Sequence, residues 1–374
     1  MLRILHMISD TNIGGAGRHL LSFLEHYDRA KLEVRVLCPA GSLLVERCAK
    51  AGVETHTSPY FAGDRSLGWR GLAGLLREVS SIIKGNKIDV VHTHAAFSGR
   101  LAAIAAGAPC VVYTKHRMDW EVSGGSLKRM VAGFLNRITC RRVIAVSRAV
   151  QESLVSSGMP REKIELIYNG IDLEQFRKQA CERDPAPRSE FGEGRLVGMV
   201  ARVEPEKGHR YFLEAAARVL ERRKDVFFVV VGTGSLLGEM KEVARRCGIG
   251  ERVIFTGFRE NVAQLIAMMD IMVIPSLTEA FGISMIEGMC LAKACVASAV
   301  GGLAEIAGED GRIAFLVPPA DAIALAGKID FLLENPDVAA DMGARAAAEV
   351  EKGFSAKVMA GKLTDLYYSL MESK

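Results

Sequence analysis

None of the eight cysteines, at positions 38, 48, 110, 140, 181, 247, 290 and 295, forms a Cys-x-x-Cys pair, so the spacing of a zinc ribbon or a redox dithiol is absent. Several sit in apolar runs and are read as buried, reduced thiols rather than as disulfides or metal ligands. No uninterrupted apolar run reaches the roughly 20 residues that a spanning helix needs. The longest candidate, Leu101 to Thr114, is broken by Gly107 and Pro109. Met1 to Ser9 is too short for a secretory leader and runs directly into strand-like sequence, which predicts a cytoplasmic protein. The net charge of +4 is too small to argue for nucleic acid as a partner. Low-complexity segments and short repeats are missing as well.

What is present is the pattern of a globular α/β enzyme. Apolar residues make up 49% of the chain and charged residues 25%, and 374 residues are enough for two domains with full cores. Both halves alternate strand-like and helix-like segments. Leu2–Ile8, Leu32–Cys38, Val53–Thr57, Asp89–His94, Val111–Thr114 and Val143–Ser147 read as strands in the first half. Leu196–Ala201, Val226–Val231, Val253–Phe255, Ile271–Ile274, Ala294–Ser298 and Phe315–Val317 do so in the second. Several are apolar throughout rather than alternating, as strands covered on both faces of a parallel sheet are. Between the halves, Lys178–Arg195 is polar and holds Pro185, Pro187, Gly192 and Gly194, the composition of a linker.

One stretch organises the functional reading: Pro275-Ser276-Leu277-Thr278-Glu279-Ala280-Phe281-Gly282-Ile283, continuing to Glu287. It joins a buried strand to a helix whose N-terminus falls at Gly282. Free backbone N–H groups and the positive end of the helix dipole suit phosphate there. A carboxylate beside phosphate is repelled by it, whereas neutral hydroxyls donate strongly to an ionised acceptor. Glu279 and Glu287 around such a helix end therefore fit a ligand with phosphates in the middle and polyols at both ends, a nucleotide-sugar. The bland alternative is that Glu279 caps the helix and Glu287 is a solvated helix residue.

Glu-x7-Glu with an internal Phe-Gly, following Pro-Ser, resembles the signature of the retaining glycosyltransferase family 4, also called glycosyl transferases group 1. The likeness extends over nearly the whole chain and is strongest from Leu196 to Val317. It implies the GT-B fold: two Rossmann-like α/β domains facing each other across a deep cleft, with a C-terminal helix crossing back to the first. The expected boundaries are 1–177 for an acceptor-binding domain with helix 354–374 packed on it, 178–195 for the linker, and 196–353 for a nucleotide-sugar domain. Arg202 and Lys207 match the family's Arg-x4-Lys-Gly and would offset the diphosphate. Gly14 and Gly15 match its first Gly-Gly loop, whose backbone would face the donor diphosphate and the acceptor, and Gly301-Gly302 its Gly-Gly-x-x-Glu, again read as a loop that lets backbone approach the donor. Gly232 and Gly257 would face the nucleotide through backbone, alongside Phe281, Gly282 and Ile283. Glu279 would hold the sugar hydroxyls and Glu287 the ribose diol. His116, at a strand tip, would donate to the sugar or acceptor hydroxyl. The chain departs from the family at Ala292, Ala294 and Ala314, where Gly or Pro is usual, which puts local turn geometry in doubt.

The resemblance implies transfer of a hexose-type sugar from a nucleotide-sugar, UDP expected over GDP, to an acceptor hydroxyl with retention of configuration. Polysaccharide, lipopolysaccharide or glycolipid assembly is the expected setting, with a glycan or lipid-linked acceptor. No Asp-x-Asp occurs, so no metal or other cofactor is expected on the diphosphate. A GT-B sugar-nucleotide epimerase and a catalytically silent nucleotide-sugar-binding subunit are the competing readings. His92 and His94, two apart on a strand, share a face, but with no third ligand apparent nearby metal binding is not expected there. Residues 126–142 form a basic amphipathic helix, with Leu127, Met130, Val131, Phe134, Leu135 and Ile138 on its apolar side and Lys128, Arg129, Arg137, Arg141 and Arg142 as cations. It is either a solvated helix packed on its own domain or a loose dock on anionic lipid at the inner face of the cell membrane.

Overall fold

The computed structural model describes all residues except 12, 62–67, 95–96, 119–125, 183–187, 309 and 373–374, and omits the side chains of 69, 126–129, 132 and 189. Contacts divide the chain into two units: Met1–Gly170 with Ala356–Lys374, and Ile171–Ser355.

In the first unit, seven strands form one parallel sheet: β1 (Leu2–Ile8), β2 (Leu32–Pro39), β3 (Glu54–Ser58), β4 (Val90–His94), β5 (Val111–Lys115), β6 (Arg142–Ala145) and β7 (Ile164–Leu166). Their spatial order is β3-β2-β1-β4-β5-β6-β7. The second unit holds a six-stranded parallel sheet of β8 (Arg195–Val200), β9 (Val226–Val231), β10 (Val253–Gly257), β11 (Ile271–Ile274), β12 (Ala294–Ser298) and β13 (Phe315–Val317). Its order is β10-β9-β8-β11-β12-β13. Both sheets reverse direction of winding once, between β1 and β4 and between β8 and β11. Ligands of open α/β sheets bind outside the carboxyl ends of the strands at such a switch point. The two parallel sheets expected from the apolar runs are therefore present, and their order places the loops after β1, β4, β8 and β11 at the ligand edges.

The helix Ala356–Glu372 belongs to the first unit. It buries Met359, Leu363, Tyr367 and Leu370 in a core with Ile4, Leu20, Phe23 and Ile144. At the other junction the chain differs from the linker reading. Leu173–Cys181 is a helix, N-capped by Asp172 through the backbone N–H of Gln175 at 2.9 Å. Arg177 donates to the Cys290 carbonyl at 3.2 Å and pairs with Glu351 at 2.7 Å, so this segment packs with the second unit. Its polarity resembles a linker because Leu173 is the one buried side chain given for it. Pro185 and Pro187 lie outside the described residues.

Three further readings change. Cys181 and Cys247 are exposed, while the other six cysteines are buried and all eight are free thiols. Ala292, where the family has glycine, makes the same kind of turn at φ +53°, a conformation that costs a non-glycine residue about 1–2 kcal/mol. The helix Ser126–Thr139 turns the wrong way for an ordinary amphipathic helix. Gly133, Asn136 and Thr139 face inward, with Asn136 held by Arg100. Met130, Val131, Phe134 and Ile138 are exposed. The side chains of Leu127, Lys128 and Arg129 lie outside those described. Among the described residues no helix is long and apolar enough to cross a membrane.

Candidate active site

In the second unit, the loops after β8 and β11 are stitched together. The Leu277 N–H donates to the Glu206 carbonyl at 2.8 Å. Gly208 sits at φ +70°, and a Cβ there would lie 1.9 Å from the Pro275 carbonyl oxygen. Only glycine allows this approach without backbone movement. It brings Lys207 against Glu279: Nζ donates to Oε2 at 2.7 Å, with the side chains 19% and 15% exposed. Ser276 Oγ donates to the same oxygen at 3.3 Å. The sequence reading gives Lys207 to a diphosphate and Glu279 to a sugar; the fold makes them partners of each other. Arg202 is placed differently. It is 62% exposed and pairs with Glu206 at 2.9 Å, a contact that solvent screens.

Glu279 is also fixed through its backbone. The Gly302 N–H donates to its carbonyl at 3.1 Å. Gly301 adopts φ +48°, and a Cβ there would meet the same carbonyl oxygen at 1.9 Å. The Gly301-Gly302 loop of the sequence reading is thus the first turn of the helix Gly301–Ala307. Gly282 caps the helix Ile283–Cys290 and accepts from the Met285 N–H at 3.0 Å. Phe281 is 3% exposed and packs edge-on against Phe354 with ring centroids 5.8 Å apart, so its backbone alone can serve a ligand. Glu287 is 5% exposed, which rules out the solvated-helix alternative. The Gly232 N–H donates to the Gly257 carbonyl at 2.9 Å, joining the turns after β9 and β10.

His209 was not singled out by its sequence, yet it opens the helix His209–Arg222 beside Lys207 and is 3% exposed. Neither ring nitrogen has a hydrogen-bond partner among the described residues. Burial, helped by the Lys207 charge and opposed by Glu204, lowers its pKa from 6.5 to about 4. The folded state therefore holds the ring neutral. Below pH 6.5 the unfolded chain takes up a proton that the folded chain refuses, so stability falls as pH drops from 6.5 toward 4. Between pH 7 and pH 5 the wild type should lose about 2 kcal/mol more than His209→Leu. Urea unfolding of both proteins at the two pH values checks this; parallel losses would refute it.

In the first unit, Gly14 caps the helix Gly15–His26, so Gly15 lies in its first turn rather than in the loop. This helix carries His19 onto a cluster of histidines. Parallel register sets His6 of β1 beside His92 of β4, and His94 of β4 beside Thr114 of β5. His92 Nε2 meets Thr114 Oγ1 at 2.6 Å, and Nδ1 meets the Tyr367 hydroxyl at 2.6 Å. His6 Nδ1 lies 3.0 Å from His94 Nε2, and His94 Nδ1 lies 3.1 Å from His116 Nε2. His19 Nδ1 meets Asn169 Oδ1 at 2.8 Å. Burial is the main cause of the lowered pKa of every ring: to about 3 for His6, to about 4 for His19, and well below 6.5 for His92, His94 and His116. The five imidazoles are neutral at pH 7. The expectation that His92 and His94 lack a third nitrogen nearby is thereby corrected, because β1 (His6), the helix Gly15–His26 (His19) and the residue following β5 (His116) supply three. Strand alternation could flag His6; nothing in the sequence pairs it with residues so far along the chain.

Comparison with known proteins follows the same division. A family model described as Glycosyltransferase Family 4 matches residues 13–175, and one described as Glycosyl transferases group 1 matches residues 182–349. An Escherichia coli protein named UDP-Gal:alpha-D-GlcNAc-diphosphoundecaprenol alpha-1,3-galactosyltransferase is 27% identical over 317 residues, covering 80% of each chain. The N-acetyl-alpha-D-glucosaminyl L-malate synthase of Bacillus anthracis is 24% identical over 307 residues, covering 79% of each. The crystal structure of Anabaena HepE in complex with UDP and glucose superimposes with a TM-score of 0.84 at 23% identity, covering 99% of this chain and 100% of that one. At that identity the likeness shows the fold.

Proposed function

Because the chain belongs to glycosyltransferase family 4, with GT-B architecture and a nucleotide-sugar as donor, we propose that it moves a hexose-type sugar from a UDP-sugar to an acceptor hydroxyl with retention of configuration, in cell-envelope glycan or glycolipid assembly. The observation that carries this reading is the largely shielded Lys207–Glu279 pair at the switch point of the second sheet. A diphosphate seated at the Gly282 helix end competes for Lys207 Nζ. Glu279 is then released to accept from sugar hydroxyls, so donor binding itself frees the group that grips the sugar. Arg202, exposed and held by a solvent-screened pair with Glu206, can exchange that partner for the outer phosphate. Glu287 takes the ribose diol. The name of the Escherichia coli relative supports a UDP-linked donor and a lipid-diphosphate acceptor.

Retention follows from substitution on one face. The bond from the anomeric carbon to the diphosphate breaks as the acceptor oxygen bonds to that carbon, and the departing phosphate oxygen takes the acceptor proton. Positive charge at Lys207 and the helix N–H groups stabilises the phosphate as it gains charge, so the step needs no metal on the diphosphate. His116 donates to the sugar or acceptor hydroxyl. Calorimetric titration with UDP, GDP and ADP in the presence of a chelator tests the donor assignment, and UDP is expected to bind. A nucleotide that binds only with added magnesium would refute metal independence, and donor isomerisation without transfer would mark an epimerase.

The acceptor is proposed to be reached at an anionic membrane surface. The exposed Met130, Val131, Phe134 and Ile138 stripe can enter the headgroup boundary while Arg137, Arg141 and Arg142 attract anionic lipid. Replacing Phe134 and Ile138 by serine should reduce sedimentation with phosphatidylglycerol vesicles about tenfold; unchanged sedimentation would remove the proposal.

A further inference from the structure

The geometry points to a metal site in the first unit: a three-histidine centre formed by His19, His94 and His116 that takes a divalent ion of borderline softness, of the zinc class, and that shares His116 with the proposed reaction, its Nδ1–H being the one left for a hydroxyl.

One nitrogen from each of these rings lies within 4.8 Å of the others. The ring centroids stand 5.0 Å apart for His19 and His116, 5.4 Å for His94 and His116, and 5.6 Å for His19 and His94. Three imidazoles on one tetrahedral zinc, at about 2.0–2.1 Å per bond, put their centroids about 5 Å apart. The 3.1 Å between His94 Nδ1 and His116 Nε2 is near the roughly 3.3 Å edge between two ligands on such an ion.

Proton positions agree with this assignment. Asn169 Oδ1 accepts from His19 Nδ1, which leaves Nε2 as a bare lone pair. That nitrogen is buried without a hydrogen-bond partner among the described residues. Fixing one ring nitrogen by a carbonyl so that the other can ligate is the usual support for a metal-bound histidine. His94 has the same support: its Nε2–H can donate to His6 Nδ1, leaving Nδ1 as the lone pair. His6 then carries its one proton on Nε2, facing the Tyr367 hydroxyl at 3.5 Å, and His92 completes the chain to Thr114. His116 then donates Nε2–H to His94 in the ion-free state. Its Nδ1 is buried and unpartnered among the described residues. Moving the single proton of His116 from Nε2 to Nδ1 therefore opens the third ligand without a net charge change on the ring.

The His6, His92 and His94 trio is also close enough to ligate, but its outward nitrogens are already taken by Tyr367 and Thr114. It serves as the support of the first trio.

The test uses the full chain without a histidine tag, stripped with a chelator and dialysed against zinc or cobalt(II). Elemental analysis should find about one ion per chain, and the cobalt form should show the intense visible bands of tetrahedral coordination. His19→Gln should lower the zinc content at least about fivefold, while His56→Gln, on β3, should leave it unchanged. Circular dichroism confirms that each variant folds. Should His19→Gln not fold, X-ray absorption of the wild-type zinc form decides, with three imidazoles at about 2.0–2.1 Å expected. A wild type that holds no ion above the buffer level, or a folded His19→Gln that keeps its full content, overturns the assignment. UDP binding in chelator reads the residues of the second unit, Lys207, Glu279 and Glu287, so a failure of the donor reading is told apart from a failure of the metal assignment.

Discussion

Replacing Glu279 by alanine should lower turnover by about 10²–10³-fold while changing UDP affinity by no more than about threefold. Glu279 is 15% exposed and holds Lys207 at 2.7 Å, so its loss has two effects. The sugar loses its acceptor, and Lys207 loses the carboxylate that positions it. Glu279→Gln separates the two, because the amide oxygen can still accept from Lys207 and Ser276 without carrying charge. It should fold as the wild type does and still turn over at least about tenfold more slowly. Glu287→Ala is the contrasting variant. That residue is 5% exposed on the helix beyond Gly282, and on the proposed roles its removal should weaken UDP binding by about 1–3 kcal/mol. Steady-state kinetics and calorimetry on the three variants give the comparison. Equal, mild effects of Glu279→Ala and Glu287→Ala on both quantities would contradict the roles assigned to them.

Gly301→Ala should destabilise the second unit by about 3 kcal/mol or more, lowering its melting temperature by roughly 10 °C. The new Cβ would start 1.9 Å from the Glu279 carbonyl oxygen, and alanine would have to hold φ +48°. Left-handed backbone costs about 1–2 kcal/mol; relief of the clash costs the rest, because backbone rather than a flexible side chain must move. Any shift also breaks the 3.1 Å bond from the Gly302 N–H, so activity should fall even below the melting transition. Gly208→Ala should behave alike, since its Cβ would lie 1.9 Å from the Pro275 oxygen at φ +70°. Gly327→Ala is the control. Gly327 lies inside the helix Ala322–Glu334 with nothing within 4 Å of its Cβ position, and should stabilise the chain by about 0.5–1 kcal/mol. Differential scanning calorimetry measures all three. A Gly301→Ala protein that melts with the wild type would show that the Glu279 loop can move aside freely, and the account of how that glutamate is held would fail.

These two results bear on the same question: whether the loop after β11 is a rigid mount. The electrostatic argument requires it. Lys207 and Glu279 come from loops that follow different strands, and they meet because Gly208 and Gly301 let three backbone segments touch. A loop free to relax would part them at little cost, and no charge would be left positioned for a diphosphate.

The sequence alone showed the strand-and-helix alternation of both halves and named the residues of the candidate donor site. Apolar runs of strand length, separated by helical periodicity, leave few folds but paired parallel sheets, because each run must be covered on both faces. The Glu279 to Glu287 spacing, the Arg202 to Lys207 spacing and the glycines are local patterns that one dimension preserves. Tertiary structure decided who touches whom. The Lys207–Glu279 pair depends on two loops separated by an entire run of strands and helices, and it appears only when β8 and β11 are neighbours. The histidine cluster depends on the register of β1, β4 and β5 and on the helix laid over them, so His6, His19, His94 and His116 look unrelated along the chain. Which side of the helix Ser126–Thr139 is buried was likewise a tertiary matter. Periodicity shows that a helix has an apolar side, whereas which side is buried depends on the surface it meets; here the close approach of Gly133 and the Arg100–Asn136 contact outweigh the hydrophobic pattern and leave Phe134 and Ile138 in solvent.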